Sequence, residues 1–291
     1  MIDLLLAFDD ERHLGEPLAA ALGVPLHWID RHRFPDGESR LRLPPRLPPQ
    51  VALLRGLHRP NDKLAELMIA APAARELGAA QLTLVCPYLA YMRQDMAFTP
   101  GEAVSQRHIG QALATWFDWV ITVDPHLHRV ATMDEVLPGR RGVALSAAAL
   151  LGAWAARHAH SPVLLGPDEE AAPWVRRAAH AQGLQHGTCI KQRSGDREVR
   201  VALPEFDFRG REVVLIDDVA STGRTLAVTT GALLQRGAAA VDVAVTHALF
   251  VDDAVAQLAA AGVRHVWSSD SVPHASNVVS LVPLLADALR G

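Results

Sequence analysis

One stretch concentrates more chemistry than any other in the chain. Val213-Val214-Leu215-Ile216 runs into Asp217-Asp218-Val219-Ala220-Ser221-Thr222-Gly223-Arg224-Thr225. It reads as a strand, two carboxylates, a small polar loop and a helix starting at about Thr225. A helix N-terminus presents backbone N–H groups and a favourable dipole to an anion. The hydroxyls of Ser221, Thr222 and Thr225 can be aimed at the same point. That combination suits a phosphate monoester. Paired carboxylates at a strand end suit a diol, because they accept hydrogen bonds from its hydroxyls. One loop therefore fits a sugar phosphate. A helix that is merely capped needs one hydroxyl and no second Asp.

Other groups repeat the strand-end placement. Leu82–Cys86 runs into Pro87-Tyr88, Trp119–Val123 into Asp124-Pro125-His126, and Val163–Leu165 into Gly166-Pro167-Asp168. In open α/β sheets ligands bind beyond the carboxyl ends of the strands. Asp124, His126, Asp168, Asp217 and Asp218 are thus candidates for one crevice. Taken singly, each Asp also reads as a helix N-cap. Lys191 and Arg193 lie two apart on an extended stretch, so both can face one side. They are candidates to hold charge on a transferring phosphoryl group. The plain alternative is a solvated loop. The chain has only two lysines, Lys63 and Lys191. Each merits attention, since arginine cannot replace a compact, rotatable ammonium.

The elements that must carry these groups are legible as short apolar runs alternating with helical patterns. Expected strands are Ile2–Ala7, Val51–Leu54, Leu82–Cys86, Trp119–Val123, Val163–Leu165, Val213–Ile216, Val241–Thr246 and His265–Ser268. Expected helices are Glu16–Leu22, Leu64–Leu77, Ser105–Phe117, Ala147–His158, Pro173–Gln182, Thr225–Arg236 and Asp252–Ala261. Continuous apolar strands alternating with helices predict an α/β protein with parallel sheets covered on both faces. The pattern looks duplicated about a midpoint near 140–142, with no evident sequence repeat. Lys191 to Pro204 is polar and charged and reads as a hairpin or mobile flap.

Composition narrows the function classes. The chain has 291 residues, 49% hydrophobic and 21% charged, with net charge −4. That is a globular profile, and it gives no global basic field for nucleic acid. Two cysteines, Cys86 and Cys189, make neither a disulfide framework nor a zinc cluster. The apolar start is interrupted by Asp3 and lacks preceding basic residues, so it reads as a strand rather than a signal peptide. A soluble, cytoplasmic protein without nucleic-acid or membrane partners is expected.

The Asp217–Thr225 loop resembles the phosphoribosyl-pyrophosphate loop of type I phosphoribosyltransferases and of phosphoribosyl-pyrophosphate synthetases. Neither a Walker A pattern nor G-x-G-x-x-G is present. The rest of the chain resembles the synthetase (ribose-phosphate pyrophosphokinase) family. Arg33-Phe34-Pro35-Asp36-Gly37-Glu38 is similar to its Phe-(Ser/Pro)-Asp-Gly-Glu segment. Pro87-Tyr88-Leu89-Ala90-Tyr91-Met92-Arg93-Gln94-Asp95 is similar to its Pro-Tyr-x-x-Tyr-x-Arg-Gln-Asp segment. Asn61-Asp62, Asp124-Pro125-His126, Gly166-Pro167-Asp168 and Lys191-Gln192-Arg193 also match, in family order. The resemblance covers nearly the whole chain, whereas a transferase needs only its second half.

The resemblance implies two tandem type I phosphoribosyltransferase-like domains, 1–141 and 142–291, each a mostly parallel sheet flanked by helices. It implies a kinase-type transferase of nucleotide biosynthesis, a ribose-phosphate diphosphokinase that makes phosphoribosyl pyrophosphate from ATP and ribose 5-phosphate. Ribose 5-phosphate falls to Asp217, Asp218, Ser221, Thr222, Gly223, Arg224 and Thr225. ATP falls to Phe34, Asp36, Gly37, Glu38, Arg93, Gln94 and Asp95, in a site shared between subunits of a homo-oligomer. Phe34 would cover the adenine, and Asp36 and Glu38 would accept from its amino group or from ribose. Lys191 and Arg193 become the catalytic pair. Magnesium (Mg2+) falls to His126 and Asp168, although magnesium prefers oxygen ligands and retained waters. His128 is a neighbour.

The chain also departs from the family pattern. Ser221 stands where most bacterial members have Asp, as in archaeal-type members. Gly223-Arg224 replaces Ala-Gly, Asp168-Glu169-Glu170 replaces Asp-x-Gly, and Met96 replaces a basic residue. Two rivals therefore stay open at the level of sequence. One is a phosphoribosyltransferase using phosphoribosyl pyrophosphate and a nucleobase. The other is a non-catalytic, regulatory homologue of the synthetase.

Overall fold

The computed structural model describes residues 2–127, 129–194 and 198–291, and across 191–194 and 198–200 the backbone alone. The chain forms two compact units, 1–145 with 281–291, and 146–280. Among the described residues no helix is long and apolar enough to cross a membrane.

The first unit runs β1 (Leu4–Ala7), α1 (Arg12–Leu22), β2 (Leu26–Trp28), β3 (Asp30–Arg33), β4 (Ser39–Arg42), β5 (Gln50–Leu54), α2 (Pro60–Glu76), β6 (Gln81–Cys86), α3 (Ser105–Trp116), β7 (Trp119–Val123), α4 (Met133–Val136) and β8 (Arg141–Leu145). Six strands make one parallel sheet in the order β2-β1-β5-β6-β7-β8, and β3 and β4 make a separate antiparallel ribbon. The central strands are the continuous apolar runs of the sequence, buried nearly throughout, as a sheet covered on both faces demands.

The second unit runs α5 (Ala148–His158), β9 (Val163–Gly166), α6 (Ala172–His180), β10 (His186–Thr188), β11 (Ile190–Ser194), β12 (Glu198–Ala202), β13 (Glu212–Ala220), α7 (Arg224–Gln235), β14 (Ala240–Ala248), α8 (Ala254–Ala260), β15 (Val263–Ser269) and β16 (Asn277–Val279). Its parallel sheet has the order β10-β9-β13-β14-β15-β16, with β11 and β12 as an antiparallel ribbon. The two sheets share one topology. In each, the second strand is the edge, the first lies inside it, and a two-stranded ribbon is inserted before the third. The duplication expected from the sequence is thus a duplication of topology.

The division of the chain differs from the expected one after residue 141. β8 pairs with β7 in the first sheet, Ile121 opposite Val143. It is tied there by the Gly142 N–H, which donates to Asp134 at 2.7 Å. A last helix, α9 (Val282–Arg290), belongs with the first unit. It buries Val282, Leu285, Ala286 and Leu289, and Arg290 donates to the Ala21 carbonyl at the end of α1 at 2.6 Å.

Candidate active site

β13 carries its apolar run through Ile216 and ends in the two carboxylates and Val219-Ala220. Asp218 is 3% exposed, while Asp217 is half-buried. The parallel neighbour β9, in register Leu215 to Leu165, brings Asp168 to the same end of the sheet. Burial, followed by the charges of Asp218 and Asp168, pushes the Asp217 carboxyl well above its ordinary value. Carboxylates held this close disfavour one another's ionisation.

Past β13 the chain must turn sharply into α7. Gly223 makes the turn at φ +68°, in the left-handed region, immediately before the helix. A side chain there is strained, and its Cβ would stand 3.4 Å from Leu258. The left-handed position is Gly223, and Arg224 opens α7 with an exposed side chain. No side chain caps α7. Its first amides therefore remain available to an anion, beside Ser221, Thr222 and Thr225.

The loop is braced from the end of β14. Phe250 N–H donates to Ala220 O at 3.0 Å and Val251 N–H to Ser221 O at 3.1 Å. Phe250 and Asp252 adopt positive φ, 24° and 54°. Strained backbone held in place by its surroundings is common at functional sites. Sequence reasoning missed this brace. The strand-end rule, extended to β14, points to it.

Lys191 and Arg193 occupy alternate positions of β11, opposite Val201 and Val199 of β12. The expected hairpin is therefore present in the backbone. Its tip, 195–197, and the two side chains lie outside the described residues.

In the first unit, Phe34, Asp36, Gly37 and Glu38 form the turn of the β3–β4 ribbon. Phe34 N–H donates to Glu38 O at 2.8 Å, and Gly37, at φ +96°, donates to Phe34 O at 3.0 Å. The turn displays its functional groups. Phe34 is 40% exposed, with His32 edge-on at 4.8 Å, and Asp36 and Glu38 are exposed. Arg93 is exposed and Gln94 half-buried in the segment after β6. Asp95 differs from them. Its side chain is 2% exposed and accepts from Arg129 at 2.7 Å.

Asp124 follows β7 at φ +37° and donates its N–H to Leu145 O at 2.8 Å. His126 follows, half-buried, and His128 lies outside the described residues. Among the described residues no three His, Cys, Asp or Glu side chains form a ready metal cage. Magnesium is usually held by one or two carboxylates and its own waters, and Asp168, close enough to Asp217 to raise its carboxyl, offers one such carboxylate. Both cysteines are buried at strand ends, and burial pushes the Cys189 thiol up to about 12. Neither is a nucleophile at neutral pH.

Comparison with known proteins covers both units. Residues 4–116 match the N-terminal domain of ribose phosphate pyrophosphokinase, and residues 142–281 match the phosphoribosyl transferase domain. A ribose-phosphate pyrophosphokinase of Methanopyrus kandleri is 36% identical over 99% of this chain and 98% of its own length. One from Halobacterium salinarum is 34% identical over 98% of this chain and 100% of its own. The crystal structure of phosphoribosylpyrophosphate synthetase from Mycobacterium smegmatis aligns with a TM-score of 0.86 at 25% identity, covering 99% of this chain and 98% of that one. Full-length similarity at this level, carried by both units, makes this chain a member of the ribose-phosphate pyrophosphokinase family.

Proposed function

We propose that this chain is a ribose-phosphate diphosphokinase. It transfers the β,γ-diphosphoryl group of ATP to the anomeric hydroxyl of ribose 5-phosphate, releasing AMP and phosphoribosyl pyrophosphate. The observation that carries this reading is the end of β13, where Asp217 and Asp218 precede an uncapped helix N-terminus turned by Gly223. The 5-phosphate takes the amides and hydroxyls of 221–225, and the ribose diol takes the carboxylates. A phosphoribosyltransferase needs only this half. Similarity that extends through the first unit leaves that rival with no role for residues 4–116.

The chemistry asks for positioning and charge stabilisation rather than covalent catalysis. The anomeric hydroxyl attacks the β-phosphorus and gives up its proton to solvent, the bond from the β-phosphorus to the α,β-bridging oxygen breaks, and the electron pair leaves on that oxygen with AMP. Lys191 and Arg193 stabilise the negative charge on the transferring group. Phe34 covers the adenine, Asp36 and Glu38 accept from its amino group or ribose, and Arg93 and Gln94 bind the phosphates. The family resemblance names His126 and Asp168 for magnesium, and of the two it is Asp168, a carboxylate, that would hold the cation together with its waters. When bound, the cation neutralises phosphate charge. The enzyme works in the cytoplasm as a homo-oligomer whose ATP site joins the Phe34 and Arg93 segments of neighbouring copies.

The two halves of the site separate in steady-state kinetics. Phe34→Ala is expected to raise the KM for ATP about tenfold, the scale of one lost base-stacking contact. The KM for ribose 5-phosphate should stay within about twofold of wild type. A rise in the sugar KM with ATP unaffected contradicts the assignment of the turn to the nucleotide.

A further inference from the structure

The β3–β4 ribbon that carries Phe34, Asp36 and Glu38 stands apart from the main sheet. A two-stranded ribbon is marginal by itself, so something must hold it. Leu41 packs against the core of the first unit. The register puts Arg31 opposite Leu41 and Arg33 opposite Ser39, so all four share one face. On that face Arg31 donates to Glu66 at 2.9 Å and to Asp9 at 2.8 Å, and Arg33 donates to Asp62. The spacing is matched. Residues two apart on a strand are about 6.7 Å apart, and residues four apart on a helix rise about 6 Å. Arg31 and Arg33 thus meet Glu66 and Asp62 of α2 as two rungs of one ladder, ending beside Phe34.

Glu66 is itself fixed from below. It is 2% exposed and also accepts from Arg55, which is fully buried. Arg55 reaches Asp10 as well and stacks on Phe8 at 4.3 Å, while Arg31 approaches the same ring at 5.8 Å. Lys63 completes the cluster. It donates to the Gly56 carbonyl at 2.8 Å, lies 3.4 Å from Glu11, and meets the His58 ring at 3.3 Å. This explains the second of the two lysines, since the space beside α2 takes a compact ammonium.

The place of this cluster in the fold is informative. β1 and β5 are topologically equivalent to β9 and β13. A short 3-10 turn with acidic residues follows β1 at Asp9–Glu11, as another follows β9 at Glu169–Ala171. In the first unit these strand ends are occupied by its own cations, Arg55 and Lys63, set against Asp10, Glu11 and Glu66.

We propose that the Arg31–Glu66 pair, with Arg33–Asp62 beside it, is a positioning device that holds the Phe34–Glu38 turn in its nucleotide-binding orientation. The inference rests on the assignment of that turn to ATP. Without the ladder the turn samples other orientations, and part of the ATP binding energy is consumed in ordering it. At saturating ATP the turn is held by the ligand, so kcat is retained.

The test is steady-state kinetics of Arg31→Gln and Arg31→Lys, with Phe34→Ala as the control. Arg31→Gln is expected to raise the KM for ATP about tenfold, with kcat and the sugar KM within about twofold. Arg31→Lys keeps charge without the two-pronged contact and should fall between. The double variant Arg31→Gln/Glu66→Gln should be no worse for ATP than the larger single effect, because both remove one link. Should Arg31→Gln fold poorly, Asp9→Asn removes an exposed partner of Arg31 and should raise the ATP KM about threefold. If Phe34→Ala raises the ATP KM and neither Arg31 nor Asp9 variants do, the positioning device is wrong and the nucleotide assignment stands. If Phe34→Ala leaves the ATP KM unchanged, the assignment and the device fall together. Parallel losses in kcat and both KM values mean a merely structural pair and overturn the device.

Discussion

Lys191→Ala is expected to lower kcat by about 10²- to 10³-fold, the scale seen when one group that stabilises transition-state charge is removed. The KM for ATP should rise far less. A charge on the ATP phosphates in the ground state would be felt in both parameters, whereas one aimed at the diphosphoryl group in flight is felt mainly in kcat. Lys191→Arg should recover little, because a planar guanidinium places its donors differently from an ammonium. Stopped turnover with unchanged ATP affinity by calorimetry supports the assignment. Equal losses of rate and of affinity contradict it.

Asp217→Asn is expected to act on the other substrate. A hydrogen bond between a carboxylate and a ribose hydroxyl carries about 1.5–3 kcal/mol, so the KM for ribose 5-phosphate should rise by about ten- to a hundredfold. The ATP KM should move little. The same change has a second signature with a fixed sign. The folded protein holds the Asp217 carboxyl above its ordinary value, through burial and then through Asp218 and Asp168. Ionising it therefore weakens the fold, and the penalty grows as pH rises above the ordinary value of 3.8. In magnesium-free buffer at pH 7, Asp217→Asn should melt higher than wild type, and the gain should vanish below about pH 4. Normal sugar binding by the variant would mean that Asp217 is not the ribose ligand, and a lower melting temperature at pH 7 would mean that ionising Asp217 does not weaken the fold.

Much of this arrangement is legible in the residues. The continuous apolar runs 51–54, 82–86 and 213–216 become buried parallel strands because a sheet covered on both faces tolerates little else. The paired Asp and the small polar loop mark the end of β13 as a candidate site in the residues themselves, and the structure adds that Gly223 takes the left-handed turn into α7.

Other features are set by partners distant in sequence. β2, β10 and β16 are three residues long, too short for any periodicity to mark. β8 and α9 join the first unit through pairing with β7 and packing on α1, which no local pattern encodes. Asp95 reads in sequence as part of a phosphate-binding segment, and its burial against Arg129 depends on a residue 34 positions away. Arg55, at the end of an apolar strand, gives no local sign of being fully buried. Its burial is tolerable because Glu66 and Asp10 close around it.

Transfer of a diphosphoryl group, rather than of a single phosphoryl group, is tested most directly by phosphorus NMR of the reaction. Purified protein is mixed with ribose 5-phosphate, ATP and magnesium, and the spectrum is followed in time. The ATP resonances are expected to give way to AMP together with a pyrophosphate coupled to the anomeric carbon of the sugar. Accumulation of ADP with a sugar bearing one new phosphate would place the attack at the γ-phosphorus and contradict the proposed transfer.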